Sequence, residues 1–324
     1  MQVIQDWPKT REITVPPGGA GLRLDRLLHA FFKDWSRSEL VKGIKQGLVC
    51  DTVGKALRPS SRVRAGQIIV IGIPGIAPTK PPPVFPAILF EDDTVVVVHK
   101  PAGMVAHPSG STFTWSVIAL ARLRWPDVEM DLCHRLDRDT SGVLVLTKQK
   151  QANQSIKQAF KSGTVEKLYE AICKGVIPWE EQTCTAPIGP REEEIRVQQG
   201  VRDDGAAALT TVRVLDRSAS LSRVSCRIGT GRTHQIRVHL EHLGFPILGD
   251  RLYGVPPQVF LHTLKHGQDE WTREQTGAPR HALHCKEMCF PHPTKGRLTV
   301  SAPVPEDMER WWNRPTCLPH DPKV

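Results

Sequence analysis

The sequence feature that most constrains the fold is a dense polar loop that runs directly into an apolar strand, within DLCHRLDRDTSGVLVLTKQ at residues 131–149. Its polar part, His134 to Gly142, places two aspartates among arginines and a histidine. Gly142 permits a sharp entry into the run from Val143 to Leu146, which is typical of a buried strand. We therefore expect a rigid strand edge that holds one carboxylate still.

The residues of this loop alone leave several interpretations open. The segment from Asp139 to Gly142 is similar to an aspartic-protease loop, but its glycine is misplaced and no second copy exists to share a proton. His134, Asp137 and Ser141 are the residue types of a hydrolase triad, but the chain lacks a G-x-S-x-G elbow. In the simplest interpretation, Asp137 and Asp139 are turn formers that bond to nearby backbone.

Length and charge bound the class of protein. With 324 residues, the chain can form one sizeable core and a small second domain. A formal net charge of +9 favours a polyanionic partner. The sequence has no apolar stretch long enough to cross a bilayer and no signal-peptide core at its start, which predicts a cytoplasmic protein without a membrane partner.

The cysteine and histidine patterns do not predict a metal site. Eight cysteines are scattered without a C-x-x-C pair, which favours reduced thiols over a disulfide framework. The segment HALHCKEMCF has metal-ligand residue types but also alternates like a strand, and its spacings match no standard zinc site. The residues considered were His281, His284, Cys285, Cys289 and His292.

The first module, residues 1–74, is predicted to contain two helices and several strands. Leu24, Leu27, Leu28 and Phe31 recur at helical spacing, and the capping box SRSE at residues 36–39 opens a second helix. The module has twelve Lys and Arg against six acids. The blocks RLDRLL, SRSELVKGIKQGLV and RVRAGQIIVI resemble an S4 RNA-binding domain. This resemblance, with the charge, predicts RNA contacts by Arg23, Arg26, Arg37, Lys42, Lys45, Arg62 and Arg64.

The remaining chain is divided into a linker, a large domain and a tail. Six prolines between residues 74 and 86 indicate an extended linker, set at 75–87. The large domain is predicted over 88–310, with an insertion near 255–280, and the tail over 311–324.

Two segments of the large domain contain candidate site residues. In the strand KLYEAI, Tyr169 is either an ordinary sheet aromatic or a residue that stacks on a nucleobase. In GTGRTHQIRVHL, Thr233 is predicted to begin a helix, and Arg232 just before it is well placed to pair with a buried carboxylate. Neither a P-loop nor a complete G-x-G-x-x-G is present, so no nucleotide cofactor is expected.

The order of the blocks KPAGMVAHP, HRLDRDTSGVLVLTK, KLYEAI, GTGRTHQIRVHL, LGFPILGDRLYG and RHALHCKEMCFPHP closely resembles the catalytic domain of RluA-type pseudouridine synthases. The resemblance implies an α+β fold, in which a small S4-like domain precedes a catalytic domain with a mixed, largely antiparallel sheet. It further implies that Asp137 is the catalytic carboxylate, that Tyr169 stacks on the target base, and that Arg232 pairs with Asp137. Arg135 would fill the space left by the flipped nucleotide, with His134 beside it as a further RNA contact.

The implied reaction is isomerisation of uridine to pseudouridine in RNA, with large-subunit ribosomal RNA favoured as substrate. Because no net atom or electron is transferred, no metal or redox cofactor is required. A monomer is expected. The alternatives are the same chemistry on transfer RNA, or a non-catalytic ribosomal RNA-binding or assembly factor with the same fold.

Overall fold

The computed structural model describes residues 10–32, 36–45, 47–72, 84–107, 116–191, 195 and 197–313. Most of the predicted linker (75–83) and of the predicted tail (314–324) lies outside these residues. The chain forms two compact units, Met1–Phe85 with His107–Arg124, and Pro86–Ala106 with Trp125–Val324. Within the described residues, every helix is too short or too polar to cross a membrane.

The amino-terminal unit contains a three-stranded antiparallel sheet of order β1-β3-β2. Its elements are β1 (Thr10–Thr14), α1 (Leu24–Phe31), α2 (Arg37–Lys45), β2 (Val49–Asp51), β3 (Ile68–Gly72) and α3 (Val117–Arg124). Leu24, Leu27 and Leu28 are buried in its core as predicted, but Phe31 is exposed. The predicted capping box is confirmed, because Glu39 Oε2 accepts from the backbone N–H of Ser36 at 2.7 Å.

The second unit is built on a ten-stranded sheet with helices α4 to α8. Its elements are β4 (Ala87–Glu91), β5 (Val95–Lys100), β6 (Asp131–Leu132), β7 (Ser141–Thr147), α4 (Lys150–Lys161), β8 (Glu166–Lys174), β9 (Glu181–Cys184), β10 (Ile188–Pro190), β11 (Gln199–Val201), β12 (Thr210–Arg217), β13 (Leu221–Ile228), α5 (Gln235–His242), α6 (Pro257–His266), α7 (Glu270–Thr276), β14 (Leu283–His292), β15 (Gly296–Ser301) and α8 (Glu306–Asn313).

The main path through this sheet is β4-β5-β7-β14-β8-β13-β12-β9, with β15 paired to β14 and β6 paired to β7. Among the strands of the described residues, β7 and β14 are parallel and the other pairs are antiparallel. The predicted mixed, largely antiparallel sheet is therefore confirmed. The strands β10 and β11 form a separate hairpin.

The centre of the sheet is apolar on both faces, as the sequence predicts. Val95 to Val98 in β5 and Val143 to Leu146 in β7 are fully buried. A strand buried on both faces is a stable support for the polar loop that precedes β7. The loop from His134 to Thr140 is thereby attached to a fully buried strand.

One helix start and one loop differ from prediction. The helix expected to begin at Thr233 begins at Gln235, and His234 before it has a left-handed backbone. The reason is that the Gln235 side chain closes the preceding turn, accepting from Arg232 N at 3.0 Å and Thr230 Oγ1 at 2.7 Å. The segment interpreted as an insertion contains the two helices α6 and α7.

Candidate active site

The polar loop is fixed by a close approach between β7 and β14. Gly142 has φ +118°, and a Cβ atom at this position would lie 2.1 Å from the carbonyl oxygen of Cys285. Thr140 Oγ1 and Ser141 Oγ lie 2.8 and 2.9 Å from ring nitrogens of His281 and His284. Because a side chain at position 142 would separate the two strands, glycine is required here for the loop to reach this position.

A buried lysine supports the loop from the other side. Lys100, fully buried at the end of β5, donates to the carbonyl oxygens of Pro101, Met104 and Arg138 at 2.9, 2.7 and 2.9 Å. Burial lowers the pKa of Lys100 to about 7. The KPAGM turn is thus tied to the residue that follows Asp137.

The two aspartates of the loop have different surroundings. Asp139 is paired with Arg251 and, at 3.2 Å, with Arg138. The side chain of Asp137 remains 31% exposed, and its Oδ2 accepts from Nη1 of Arg237 at 2.9 Å. Asp139 is therefore a structural ion-pair partner, whereas Asp137 faces an open space.

The arginine that pairs with Asp137 is Arg237, and the expectation that Arg232 does so is wrong for this structure. The guanidinium of Arg237 also donates twice to the fully buried Asp250, at 2.6 and 2.9 Å. Burial would raise the pKa of Asp137, but the charge of Arg237, the nearby His234 and His281, and the hydrogen bond from Arg237 together outweigh burial, so the pKa lies below its ordinary value. The carboxylate is therefore held ionised.

Arg232 lies at the surface for a local reason. It precedes α5 in an exposed turn, and its Nε donates to the carbonyl oxygen of Ala207 at 3.0 Å. Arg237, in the first turn of the buried helix α5, points its guanidinium at the two carboxylates instead. Arg232 nevertheless lines the same cavity as Asp137.

Tyr169 is brought to this cavity by β8, which pairs with β13 and β14. The tyrosine is 7% exposed and lines the cavity with Asp137. Burial and the nearby Cys285 thiol raise the pKa of Tyr169 well above its ordinary value, so the phenol stays protonated. Its ring is part of the wall, which suits contact with a planar ligand.

The cavity is open to solvent, and its empty space, which includes open solvent, amounts to about 480 Å³. Its lining combines polar and apolar residues. Its walls are formed by Arg135, Leu136, Asp137, Thr140, Tyr169, Ile228, Gly231, Arg232, His234, Gln235, Ile236, Arg237 and Leu283.

His134 and Arg135, at the start of the polar loop, have different surroundings. Arg135 is exposed at the cavity. His134 is half-buried, its Nε2 accepts from the N–H of Val145 at 3.1 Å, and its ring stacks on Phe160. Burial lowers the pKa of His134 to about 3. The ring of His134 thus supports the sheet, and an RNA contact through it stays a prediction.

The predicted RNA-binding residues of the amino-terminal unit fall into two groups. Arg23 and Arg37 pair with the buried Asp25 at 3.0 and 2.7 Å, and Arg62 donates to the carbonyl oxygen of Gly21 at 2.7 Å. The other four predicted contacts are exposed or, for Lys42, half-buried; they are Arg26, Lys42, Lys45 and Arg64.

The histidines near β14 have structural partners. His281 and His284 bond to the polar loop, and His292 lies 3.1 Å from a carboxylate oxygen of Asp92. Within the described part of the chain, no three His, Cys, Asp or Glu side chains are arranged to hold a metal ion.

The sequence interpretation missed four residues at the site: Arg237, Asp250, His234 and Tyr253. The sequence did contain a signal for Arg237, which lies between Ile236 and Val238 in a predicted helix. An arginine buried there requires a carboxylate partner. Asp250 and Tyr253 lie in the block LGFPILGDRLYG, which was recognised without a role for either residue. Arg237 stacks over the Tyr253 ring at 4.8 Å.

Comparison with known proteins identifies the family. The sequence model described as RNA pseudouridylate synthase matches residues 94–242. The chain is 36% identical to Ribosomal large subunit pseudouridine synthase D of Xanthomonas campestris pv. campestris, over 93% of this chain and 91% of that protein. It is 34% identical to the Pseudomonas aeruginosa protein of the same name, over 92% and 93% of the two chains.

A solved structure shows the same relationship. The structure of Human RNA Pseudouridylate Synthase Domain Containing 1 is similar with a TM-score of 0.55 and 27% identity, covering 69% of this chain and 86% of that chain. Taken with the sequence matches over nine-tenths of its length, the chain belongs to the RluA-type family of RNA pseudouridine synthases, enzymes that isomerise uridine in RNA.

Proposed function

We propose that this enzyme isomerises specific uridines of large-subunit ribosomal RNA, with Asp137 as the reacting carboxylate. The observation that supports the catalytic part is the convergence of Asp137, Arg237 and Tyr169 on one open cavity. A carboxylate kept ionised, a fixed cation and a protonated phenol are the groups that the chemistry needs.

The reaction breaks the C1′–N1 glycosidic bond and forms a C1′–C5 bond to the same uracil. The proton on C5 is lost and N1 gains one, so atoms and electrons balance within the nucleotide. Asp137 acts on the sugar, either by attack on C1′ or by removal of the C2′ proton. Tyr169 stacks on the base, and its protonated hydroxyl assists loss of the C5 proton as a hydrogen-bonded relay to solvent. The walls keep the detached uracil in place.

Arg237 takes the role that the sequence had assigned to Arg232. Its charge favours the carboxylate form of Asp137, and its two hydrogen bonds to Asp250 hold the guanidinium in one orientation. Arg232, exposed at the cavity, is suited to an RNA phosphate instead. Arg135 fills the space that the flipped nucleotide leaves.

Ribosomal RNA is favoured as substrate because the similar bacterial proteins are named for the large ribosomal subunit. Transfer RNA is the second candidate. A non-catalytic role has less support, since a binding protein has no need for a paired carboxylate in an open cavity.

Residues 1–74 of the amino-terminal unit are proposed to form an S4-like RNA-binding domain, followed by the linker and a catalytic domain of residues 88–310. The net charge of residues 1–74 and the exposed Arg26, Lys45 and Arg64 support this role. The cytoplasmic location and the monomeric state remain predictions from the sequence.

Mapping pseudouridines in total RNA from cells with the protein, without it, and with the Asp137→Asn variant tests the substrate. We expect sites in large-subunit ribosomal RNA to be lost both without the protein and with the variant. Loss confined to transfer RNA would replace the proposed substrate. An unchanged map in all RNA would contradict an isomerase role in those cells.

A further inference from the structure

His234 has a backbone conformation that needs an explanation. Among the described residues it is the one non-glycine residue with positive φ, at +57°. A left-handed backbone disfavours most side chains, and it persists where surrounding contacts require it, often at functional sites. His234 lies immediately before α5 and lines the cavity beside Asp137.

The hydrogen bonds around Tyr253 favour one tautomer of His234. The Tyr253 oxygen accepts from the backbone N–H of Gln199 at 3.0 Å, and it lies 2.8 Å from Nδ1 of His234. One arrangement gives every group a partner: the phenol accepts from Gln199 and donates its own hydrogen to Nδ1. In that arrangement Nε2 carries the hydrogen of the neutral ring.

Nε2 of His234 faces the reacting carboxylate. It lies 3.9 Å from Oδ2 of Asp137, the same oxygen that accepts from Arg237 at 2.9 Å. The distance is too long for a hydrogen bond, but such bonds are often long before substrate binds and shorten in the complex. Among the described residues, the side-chain hydrogen bond that Asp137 accepts from Arg237 is made to Oδ2, which leaves Oδ1 available to the sugar.

We infer that His234 is a positioning residue, set by the Tyr253 hydroxyl, that donates a second hydrogen bond to Oδ2 of Asp137 and thereby presents Oδ1 to the ribose. This inference rests on the proposed role of Asp137. Burial lowers the pKa of His234 to about 4, which agrees with a neutral donor at neutral pH. Burial likewise raises the pKa of Tyr253, so its hydroxyl stays protonated.

Asp137 has several titratable neighbours, each of which can shift its pKa. Arg237 on α5 and His234, just before α5, face Asp137. His281 faces it from the segment before β14, and Lys100 faces it from β5. Tyr169 on β8 and Tyr253 after α5 are also near Asp137, and Asp250 shares the guanidinium of Arg237 with it. Of these, the Tyr253 hydroxyl is the group whose removal changes the His234 tautomer without removing a charge.

The first test compares Tyr253→Phe with the wild-type enzyme in single-turnover pseudouridine formation at saturating RNA. The variant keeps the ring under Arg237 but no longer fixes the tautomer. We expect a rate loss of about tenfold, the usual scale for one hydrogen bond to a charged group. The dissociation constant for RNA should stay within about twofold, since no phosphate contact is lost.

The pH–rate profile separates positioning from a loss of folding. Because a donor to the ionised form is lost, the pKa of Asp137 should rise and the acid limb should move to higher pH. Val238→Ala, which shortens a buried side chain in the same core cluster as Tyr253, is the matched control. It should lower the melting temperature and leave the acid limb in place.

His234→Gln and His234→Leu complete the test. Glutamine retains a donor near the Nε2 position without needing Tyr253. Adding Tyr253→Phe to His234→Gln should therefore lower the rate little further. The His234→Leu enzyme should lose at least as much rate as the Tyr253→Phe enzyme. A Tyr253→Phe enzyme with the wild-type rate and acid limb would overturn the inference. The wild-type enzyme and Asp137→Asn are measured first. If the wild-type enzyme forms pseudouridine and Asp137→Asn does not, the proposed function stands, and a negative result with Tyr253→Phe then counts against the role of His234 alone.

Discussion

Nη1 of Arg237 lies 2.9 Å from Oδ2 of Asp137, although one hundred residues separate them in the sequence. The other donors of the same guanidinium are held by Asp250, which is fully buried. Burial raises the cost of any uncompensated charge, so the three side chains form one unit. The position of the reacting carboxylate is thus decided by α5 and the Asp250 turn as well as by its own loop.

Replacing Arg237 should stop the chemistry, and replacing Arg232 should not. Because Arg237→Gln alone would leave Asp250 as an unpaired buried charge, costing about 3–5 kcal/mol of stability, the informative variant is Arg237→Gln with Asp250→Asn. We expect its single-turnover rate to fall about 10² to 10³-fold, as for loss of a preorganised charge partner.

The control is Arg232→Gln, which removes an exposed guanidinium. It should weaken RNA binding and keep the rate at saturating RNA within about threefold, since phosphate contacts position RNA rather than react. If Arg232→Gln lost the chemistry and the double variant kept it, Arg232 would be the partner of Asp137 in the complex after all.

Acid should destabilise the fold before its carboxylates are protonated. Burial lowers the pKa of His281 to about 3 and that of His284 to about 4, from an ordinary value of 6.5. Below pH 6.5 the unfolded chain takes up protons at these positions and the folded chain does not. Stability should therefore fall between pH 6.5 and 4, by up to about 1.4 kcal/mol per pH unit for each histidine.

Urea unfolding at pH 7.5, 6 and 5 measures this slope. In His281→Gln, the amide can still bond to Thr140, but one proton-binding group of the unfolded chain is removed. The variant should therefore lose less stability on acidification than the wild-type protein. Equal slopes for the two proteins would mean that His281 takes up its proton without unfolding.

The exposed cations of the amino-terminal unit should control the salt dependence of RNA binding. The triple substitution Arg26→Gln, Lys45→Gln and Arg64→Gln avoids Arg23 and Arg37, whose removal would expose the charge of Asp25. Each lost phosphate contact should reduce the slope of log K against log salt by roughly 0.7 to 0.9.

Binding titrations at several salt concentrations give this slope. Lys265→Gln with Arg273→Gln, on the exposed surfaces of α6 and α7, is the matched control and should leave it unchanged. A triple variant with the wild-type slope would remove the amino-terminal unit from the RNA interface.

The sequence predicted those parts of the site that depend on local pattern. The apolar runs in β5 and β7, the glycine before β7 and the position of Tyr169 on a strand follow from periodicity and backbone freedom. The requirement for Gly142 is stronger than the sequence suggests, because the close neighbour is a carbonyl group of β14. Nothing in the local pattern predicts that contact.

Pairings between distant side chains could not be predicted in the same way. GTGRTHQIRVHL offers two arginines five positions apart, and only the path of α5 decides which of them reaches Asp137. The left-handed His234 shifts the helix start, turning Arg232 outward and Arg237 inward. His234 and Tyr253 acquire their relation through a fold contact between residues 19 positions apart.

The reacting role of Asp137 is tested most directly by Asp137→Asn, which keeps the shape of the side chain and removes its charge. The measurement is pseudouridine formed in transcribed large-subunit RNA at saturating enzyme, together with the dissociation constant for the same RNA. We predict no detectable pseudouridine and an affinity within about threefold of the wild-type value, since few RNA-binding cations are disturbed. Pseudouridine formation by the variant at a rate near that of the wild-type enzyme would contradict the assignment.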